Sequence, residues 1–143
     1  MQRPRHPALK LATHVHSFLF RATGGRFGRN IRGAPVLVLE TLGRKSGKVR
    51  SVPLLFVEDG GDWVVMASSG GDPRHPAWFM NLEAEPHATV ITEAGRQSVA
   101  ATVTDGDERE RLFGRMAAIY RGFESYRDRT TREIPVVRLR PEA

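Results

Sequence analysis

The chain contains six short segments rich in aliphatic and β-branched residues, and several of the connections between them are only a few residues long. Segments of this length and composition are typical of β-strands. Two connections, Asp59–Asp62 and Ala94–Arg96, carry the glycine that tight hairpin turns require. Because short turns join antiparallel neighbours, the sheet is predicted to be mainly antiparallel. The six predicted strands are Val36–Thr41, Ser51–Glu58, Trp63–Ser68, Thr89–Thr92, Ser98–Thr104 and Ile134–Leu139.

Three further segments have the apolar spacing of amphipathic helices. The first covers 7–22 and is followed by a basic linker at 26–34, and the second is Ala77–Ala84. The third begins at a cap, which is either Asp105 or Asp107. Its predicted apolar stripe consists of Leu112, Met116 and Ile119.

Helices outside a small, mainly antiparallel sheet predict an α+β barrel. A chain of 143 residues is the length of one ordinary domain. We therefore expect a single domain over 1–143. Its N-terminal helix and basic linker occupy 1–33, and its barrel core occupies 34–140.

Composition excludes several kinds of protein. There is no cysteine, so disulfide scaffolds, cysteine-ligated metal sites and thiol nucleophiles are excluded. The five histidines are scattered, and we expect no metal site. The longest apolar run, Ala34–Leu39, is far too short to span a membrane. No continuous apolar stretch follows the basic start of the chain, so the expected location is the cytoplasm.

The positive charge is concentrated in the first part of the chain. Residues 1–50 carry eleven lysines and arginines against one acid, whereas residues 51–143 carry eleven against fifteen. This asymmetry indicates an anion-binding surface, for which nucleic acid, an acidic bilayer and a phosphorylated small molecule are candidates. A solvated basic face explains the same charge pattern.

The segment Thr41–Leu54 concentrates these cations around two glycines. Arg44, Lys45, Lys48 and Arg50 surround a serine in a glycine-bounded turn. Glycines allow backbone N–H groups to approach an anion closely, and the cations neutralise it. The turn is therefore a candidate phosphate site, with a plain basic hairpin tip as the alternative.

Two later segments could complete such a site. Ala67–Gly71 follows a predicted strand and offers hydroxyl groups, and Trp78 and Phe79 stand at the start of a predicted helix. An indole at that position is either a core residue or a wall against a flat ring. The dinucleotide-binding glycine fingerprint, the P-loop, the zinc-protease motif and the hydrolase serine elbow do not occur in the sequence.

Taken in order, these motifs resemble the deazaflavin-dependent nitroreductase family, whose members are split β-barrel oxidoreductases that use coenzyme F420. The resemblance extends from about Gly24 to Arg140. It implies a six-stranded split β-barrel, similar to FMN-binding barrels, with flanking helices. The motifs are Gly43–Gly47 with Arg50, Pro53 and Leu54; Ala67-Ser68 with Gly70-Gly71; Pro76-x-Trp78-Phe79-x-Asn81-Leu82 with Pro86; and Arg132-x-Ile134-Pro135-Val136-Val137.

The resemblance also implies how the cofactor binds. Its phosphate and acidic glutamyl tail would meet the basic turn, and its ring would lie between two strands and the helix start. The implied cofactor-binding residues are Arg44, Lys45, Ser46, Arg50, Ser51, Val52, Pro53, Leu54, Leu55, Met66, Ala67, Ser68, Ser69, Ala77, Trp78, Phe79, Met80, Asn81 and Phe123.

The implied reaction is hydride transfer from reduced F420 (F420H2) to a quinone, an enone or a nitro compound. Ser68 is the first candidate to donate a proton or hydrogen bond to the acceptor, and Tyr120 and Tyr126 are the others. Tyr120 is also explained as a core aromatic one turn after Met116. Phe123 and Arg129 stand where some relatives have hydroxyl-bearing or aromatic residues, which weakens the case for nitroimidazole substrates.

Two alternatives remain open at this point. One is a non-catalytic carrier of F420 or of a lipid cofactor with the same fold. The other is a basic module that binds a membrane surface or nucleic acid. Contact of helix 7–22 with the inner face of the membrane is compatible with the enzyme, whereas no nucleic-acid partner is expected. The sequence does not decide between a monomer and a homodimer.

Overall fold

The structure is a computed structural model that describes residues 35–68, 74–120 and 133–142. The predicted helix at 7–22, the basic linker and the predicted site residues Ser69, Phe123 and Tyr126 lie outside the described residues. The comparison of prediction with structure therefore concerns the barrel core and two of the three predicted helices.

The described residues form one antiparallel sheet of seven strands with two helices. Along the sheet the order is β2-β1-β5-β6-β7-β4-β3, and every neighbouring pair is antiparallel. The strands are β1 (Val36–Leu42), β2 (Val49–Leu55), β3 (Val57–Asp59), β4 (Asp62–Met66), β5 (His87–Thr92), β6 (Gly95–Val103) and β7 (Val136–Pro141). The helices are α1 (Ala77–Ala84) and α2 (Gly106–Ile119). The predicted α+β fold and its antiparallel pairing are confirmed, and the bounds of α1 are as predicted.

The predicted strand Ser51–Glu58 is wrong as a single element, because the structure divides it at Phe56 into β2 and β3. β2 pairs with β1 at one edge of the sheet, and β3 pairs with β4 at the other edge. The N–H of Phe56 donates to the carbonyl oxygen of Pro35 at 3.1 Å, outside the strand ladder. The two edges are therefore joined through one residue, and the sheet must curl for them to meet, which brings β2 beside β4.

The two faces of the curled sheet carry different cores. β4 and the residue after it show the separation, because Val65 and Ala67 pack on the side of α1, while Val64 and Met66 pack on the side of α2. The α1 cluster consists of Leu37, Leu39, Phe56, Val65, Ala67, Trp78, Phe79, Leu82, Val90, Val99, Val137 and Leu139. The α2 cluster consists of Val57, Val64, Met66, Leu112, Phe113, Met116, Ala117, Ile134 and Val136.

The predicted apolar stripe of α2 is wrong in one member. Leu112 and Met116 are buried as expected, but Ile119 is 43% exposed. The buried face of α2 also includes Phe113 and Ala117, so this face is rotated away from Ile119. Ile119 is the last residue of the helix and lies at the edge of the buried face. Asp105 is the N-cap residue, without a side-chain capping hydrogen bond.

An ion network holds the β3–β4 hairpin against β7 and α2. Gly60 and Gly61 have positive φ angles of 60° and 86° in its turn, as the predicted hairpin requires. The guanidinium of Arg138 contacts the carboxylates of Asp59 at 2.7 Å and Asp62 at 2.9 Å. Hydrogen bonds from Arg111 and then Arg138 hold the pKa of the Asp59 carboxyl well below its usual range. In the described ranges, no helix is long and apolar enough to cross a membrane.

Candidate cofactor site

The basic turn between β1 and β2 has a defined backbone conformation. The N–H of Gly43 donates to the carbonyl oxygen of Lys48 at 2.7 Å, and the N–H of Gly47 donates to that of Gly43 at 2.9 Å. The side-chain oxygen of Ser46 accepts from the N–H of Lys48 at 3.1 Å. Gly47 has a φ of 70°, which explains the need for glycine there. The turn is therefore an ordered loop that presents its cationic side chains outward.

Glycine is needed at position 43 because there is no room for a side chain. A methyl group at this residue would stand 2.6 Å from the hydroxyl oxygen of Ser46 and 3.0 Å from the carbonyl oxygen of Lys48. Gly43 itself is buried. The start of the turn thus packs closely on its own end.

Asn81 of α1 connects the turn to the rest of the protein. Its side-chain oxygen accepts from the N–H of Arg44 at 3.1 Å, and its side-chain nitrogen donates to the hydroxyl oxygen of Thr41 at 3.1 Å. Both Asn81 and Thr41 are buried. A single amide therefore links the helix, the end of β1 and the basic turn.

A pocket of about 460 Å³ lies where the turn, β2 and the start of α1 meet. One part of its lining is cationic and polar, and another part is apolar. The lining residues are Gly43, Arg44, Lys45, Ser46, Arg50, Ser51, Val52, Ala77, Trp78 and Asn81. Nine of these ten lining residues are among the predicted cofactor-binding residues, and Gly43 is the tenth.

The start of α1 adds to the positive character of this pocket. Ala77 and Trp78 are the first two residues of the helix, and the N-cap residue Pro76 provides no side-chain hydrogen bond to the first turn. The N-terminal end of a helix carries a partial positive charge from its unpaired N–H groups. The helix dipole and the cations of the turn therefore favour the same kind of ligand.

Several predicted site residues do not line the pocket. Leu54, Ala67 and Phe79 pack in or against the α1 cluster, whereas Leu55 and Met66 belong to the α2 side. Pro53 and Met80 are exposed, and Ser68 is buried two residues after the end of β4. Tyr120 is the C-cap residue of α2 and packs against the α2 cluster. Its position agrees with the core alternative, and its catalytic role stays a prediction.

Two residues outside the predicted list of cofactor-binding residues belong to this region. Gly43, predicted as one of the two glycines that let the backbone approach an anion, lines the pocket. Thr41, predicted as the last residue of a strand and the first of the basic segment, also accepts the hydrogen bond of Asn81. No local pattern signals this contact, because forty residues separate the two side chains.

The donor groups of the pocket fit a ligand with an extended anionic part and a flat apolar part. Arg44, Lys45 and Arg50 supply cations, and the turn supplies hydroxyl and backbone donors. Val52 and Trp78 offer an apolar and aromatic surface for a ring. F420 combines a phosphate, a glutamyl tail and a deazaflavin ring, so the residues present fit this cofactor. No group of three histidine or acidic side chains that could hold a metal occurs among the residues described.

The curled antiparallel sheet with its two helices defines a split-barrel fold. A pyridoxamine 5′-phosphate oxidase candidate from Listeria innocua shares this fold, with a TM-score of 0.54 and 13% identity. The chain covers 84% of that protein, and the match covers 76% of the chain. At this identity the likeness concerns the fold alone.

Closer matches define the family. The family model described as F420H(2)-dependent quinone reductase matches residues 12–141. The F420H(2)-dependent quinone reductase Rv1261c of Mycobacterium tuberculosis is 35% identical over 141 residues, which cover 94% of this chain and 93% of the relative. The chain belongs to the F420H(2)-dependent quinone reductase family.

Two solved structures are similar as well. An F420-H2 dependent reductase, FDR-A, has a TM-score of 0.68 and 37% identity, covering 73% of this chain and 93% of that one. A protein described as a domain-swapped dimer has a TM-score of 0.65 and 31% identity, covering 93% and 98%. The expected family, enzyme class and F420H2 cofactor are thereby confirmed, and the acceptor named for the family is a quinone. This favours the enzyme over the two non-catalytic alternatives.

Proposed function

We propose that the pocket between the basic turn and α1 binds F420H2, and that the chain uses it to reduce a quinone. The observation that carries this proposal is that the cationic turn and Trp78, at the start of α1, line the same pocket of about 460 Å³. Such a pocket has the size of a typical cofactor site. Family membership supplies the identity of the cofactor and the class of the acceptor.

In this proposal the turn binds the anionic part of the cofactor. Arg44, Lys45 and Arg50 neutralise the phosphate and the glutamyl carboxylates, and Ser46 offers its hydroxyl group. The deazaflavin ring lies against the apolar side of the pocket, where Val52 and Trp78 exclude water from one part of it. The protein thus fixes the orientation of the ring.

When bound, F420H2 supplies a hydride, which brings two electrons and one proton to the quinone. The quinone becomes a hydroquinone after it takes up one further proton. Negative charge develops on a quinone oxygen during this reduction, and a hydroxyl donor stabilises it. We assign this donation to Ser68, with Tyr120 and Tyr126 as further candidates. The observation in favour of Ser68 is its buried position two residues after the end of β4.

Titration with F420, followed by fluorescence beside an FMN titration, tests cofactor binding. We expect F420 to bind at micromolar concentrations or tighter and FMN to bind much more weakly, because FMN lacks the glutamyl tail. Preference for FMN would contradict the assignment of the turn to the tail.

A pair of charge variants localises the anionic part. Lys45→Gln should weaken F420 binding by about tenfold and reduce its salt dependence, because one charge-assisted contact is lost. Arg140→Gln removes the same charge at an exposed position of β7 and should leave binding unchanged. Equal effects of both variants would show that only net charge matters.

Ser68 is tested through the reaction itself. Ser68→Ala should lower kcat with a naphthoquinone by about a hundredfold if the hydroxyl stabilises the developing charge. Its affinity for F420 should stay within about twofold of the unmodified protein. Ser68→Thr, which keeps a hydroxyl group, should recover part of the rate. An unchanged kcat in Ser68→Ala would remove this residue from the mechanism.

A further inference from the structure

We propose that Asn81 is a positioning residue, which acts with Thr41 to hold the basic turn in the conformation that receives the anionic tail. The resemblance described above assigns Asn81 to direct cofactor contact. The hydrogen bonds of its side chain point to a different role. This inference rests on the proposed function, since it concerns the same site.

Both polar atoms of the Asn81 amide have hydrogen-bond partners within the protein. Asn81 is only 4% exposed. Its oxygen accepts from the N–H of Arg44, and its nitrogen donates to the hydroxyl oxygen of Thr41. Rotation of the amide by half a turn would set a donor against the N–H of Arg44, so the orientation is fixed by chemistry.

Asn81 joins a rigid part of the fold to a loop. Its neighbours on α1, Trp78, Phe79 and Leu82, are buried in the α1 cluster. Thr41 lies in β1 and is paired with Arg50 of β2, which is itself a lining residue. The helix and the strand ladder are therefore fixed, and the amide transmits that rigidity to the backbone of Arg44.

The contact between Asn81 and Arg44 bears on the anionic part of the ligand and not on its ring. The cationic turn begins at Arg44, whose backbone is fixed by Asn81. The apolar part of the pocket is formed by Val52, Ala77 and Trp78, which are placed by β2 and α1 themselves. Loss of the amide contact should therefore weaken binding of the tail and leave binding of the ring unchanged.

The experiment compares two ligands, four single variants and the double variant that combines Asn81→Ala with Thr41→Val. The ligands are F420 and its deazaflavin nucleoside, which lacks the phosphate and the glutamyl tail. The variants are Asn81→Ala, Thr41→Val, Thr41→Ser and, as a control for lost stability, Leu112→Ala in the distant α2 cluster. Dissociation constants come from fluorescence, and amide hydrogen exchange reports on the N–H of Arg44 in the ligand-free protein.

We expect Asn81→Ala to weaken F420 binding by about tenfold and to leave nucleoside binding within about twofold. The amide proton of Arg44 should exchange faster in this variant. Thr41→Val should show a smaller effect of the same kind, Thr41→Ser should behave like the unmodified protein, and the effects of Asn81→Ala and Thr41→Val should not add in the double variant. Leu112→Ala should lower the melting temperature without changing either affinity.

The outcomes separate this inference from the proposed function. If the unmodified protein fails to bind F420, the proposed function is lost. If it binds F420 but Asn81→Ala weakens both ligands equally, or weakens neither, the positioning role is overturned. Should Asn81→Ala fail to fold, Thr41→Val carries the same comparison, because it removes the hydroxyl while keeping the volume of the side chain.

Discussion

At the scale of single residues, Arg138 lies at the centre of a network of ionic contacts in the described part of the chain. It is largely buried and contacts Asp59, Asp62 and Glu108. A buried guanidinium with fewer acceptors would be costly, so the carboxylates and the arginine depend on one another. This network fixes the β3–β4 hairpin on β7, at a distance in sequence of nearly eighty residues.

The depressed pKa of Asp59 predicts how stability varies with pH. Because its folded pKa lies below the usual 3.8, its contribution is fully present above about pH 4 and is lost as the pH falls toward the folded value. Asp59→Asn should lower the free energy of unfolding by about 2 kcal/mol at neutral pH, since hydrogen bonds to charged partners are lost. The difference from the unmodified protein should shrink below about pH 4, as measured by urea unfolding across pH.

A neighbouring carboxylate provides the control for this prediction. Glu58 lies on the same strand with an exposed side chain. Glu58→Gln removes the same charge as Asp59→Asn but breaks no contact of the ion network. It should therefore leave the urea midpoint unchanged at every pH. A difference for Asp59→Asn that stayed constant down to acid pH would contradict the role of the ionised carboxylate.

At the scale of elements, the basic turn depends on two glycines for different reasons. Gly43 has no space for a side chain, whereas Gly47 has open space but a left-handed backbone. Gly43→Ala should force the turn to shift, lower stability by about 1–3 kcal/mol and weaken F420 binding by more than about tenfold. Calorimetric melting and the F420 titration measure the two effects.

Gly47 supplies the matched comparison within the same turn. Asparagine tolerates the left-handed conformation better than other residues with a side chain. Gly47→Asn should therefore cost little stability and keep the affinity for F420 close to that of the unmodified protein. If both variants lost binding equally, close packing at Gly43 would not be the cause.

Local sequence patterns correctly predict the elements whose ends are set by nearby prolines and glycines. The helix Ala77–Ala84 lies between two prolines, and its bounds are as predicted. The hairpin at Asp59–Asp62 follows from its glycines. The division of the strand at Phe56 has no local signal, because β-branched and aliphatic residues continue on both sides. It arises from the pairing of β2 and β3 with opposite edges of the sheet.

At the scale of the whole molecule, the pocket combines segments that are far apart in sequence. The turn and the helix start were each recognisable as candidates, from charge and from aromatic content, and the resemblance placed them together. The contact between Asn81 and Thr41 could not be predicted in this way. It depends on the distance between a helix and a strand end, which is set by packing of the α1 cluster across the sheet.

The strand order also determines when the sheet can be completed during synthesis. β7 is made after every other strand of the sheet, yet it lies between β6 and β4. Until residues 136–141 have emerged from the ribosome, the β3–β4 hairpin has no paired neighbour among the other described strands, because β7 is the strand that joins it to β6. The nascent chain therefore exposes the unpaired edges of two partial sheets until β7 pairs with both of them. Exposed strand edges favour aggregation, so we expect chaperones to contact the chain mainly in that interval.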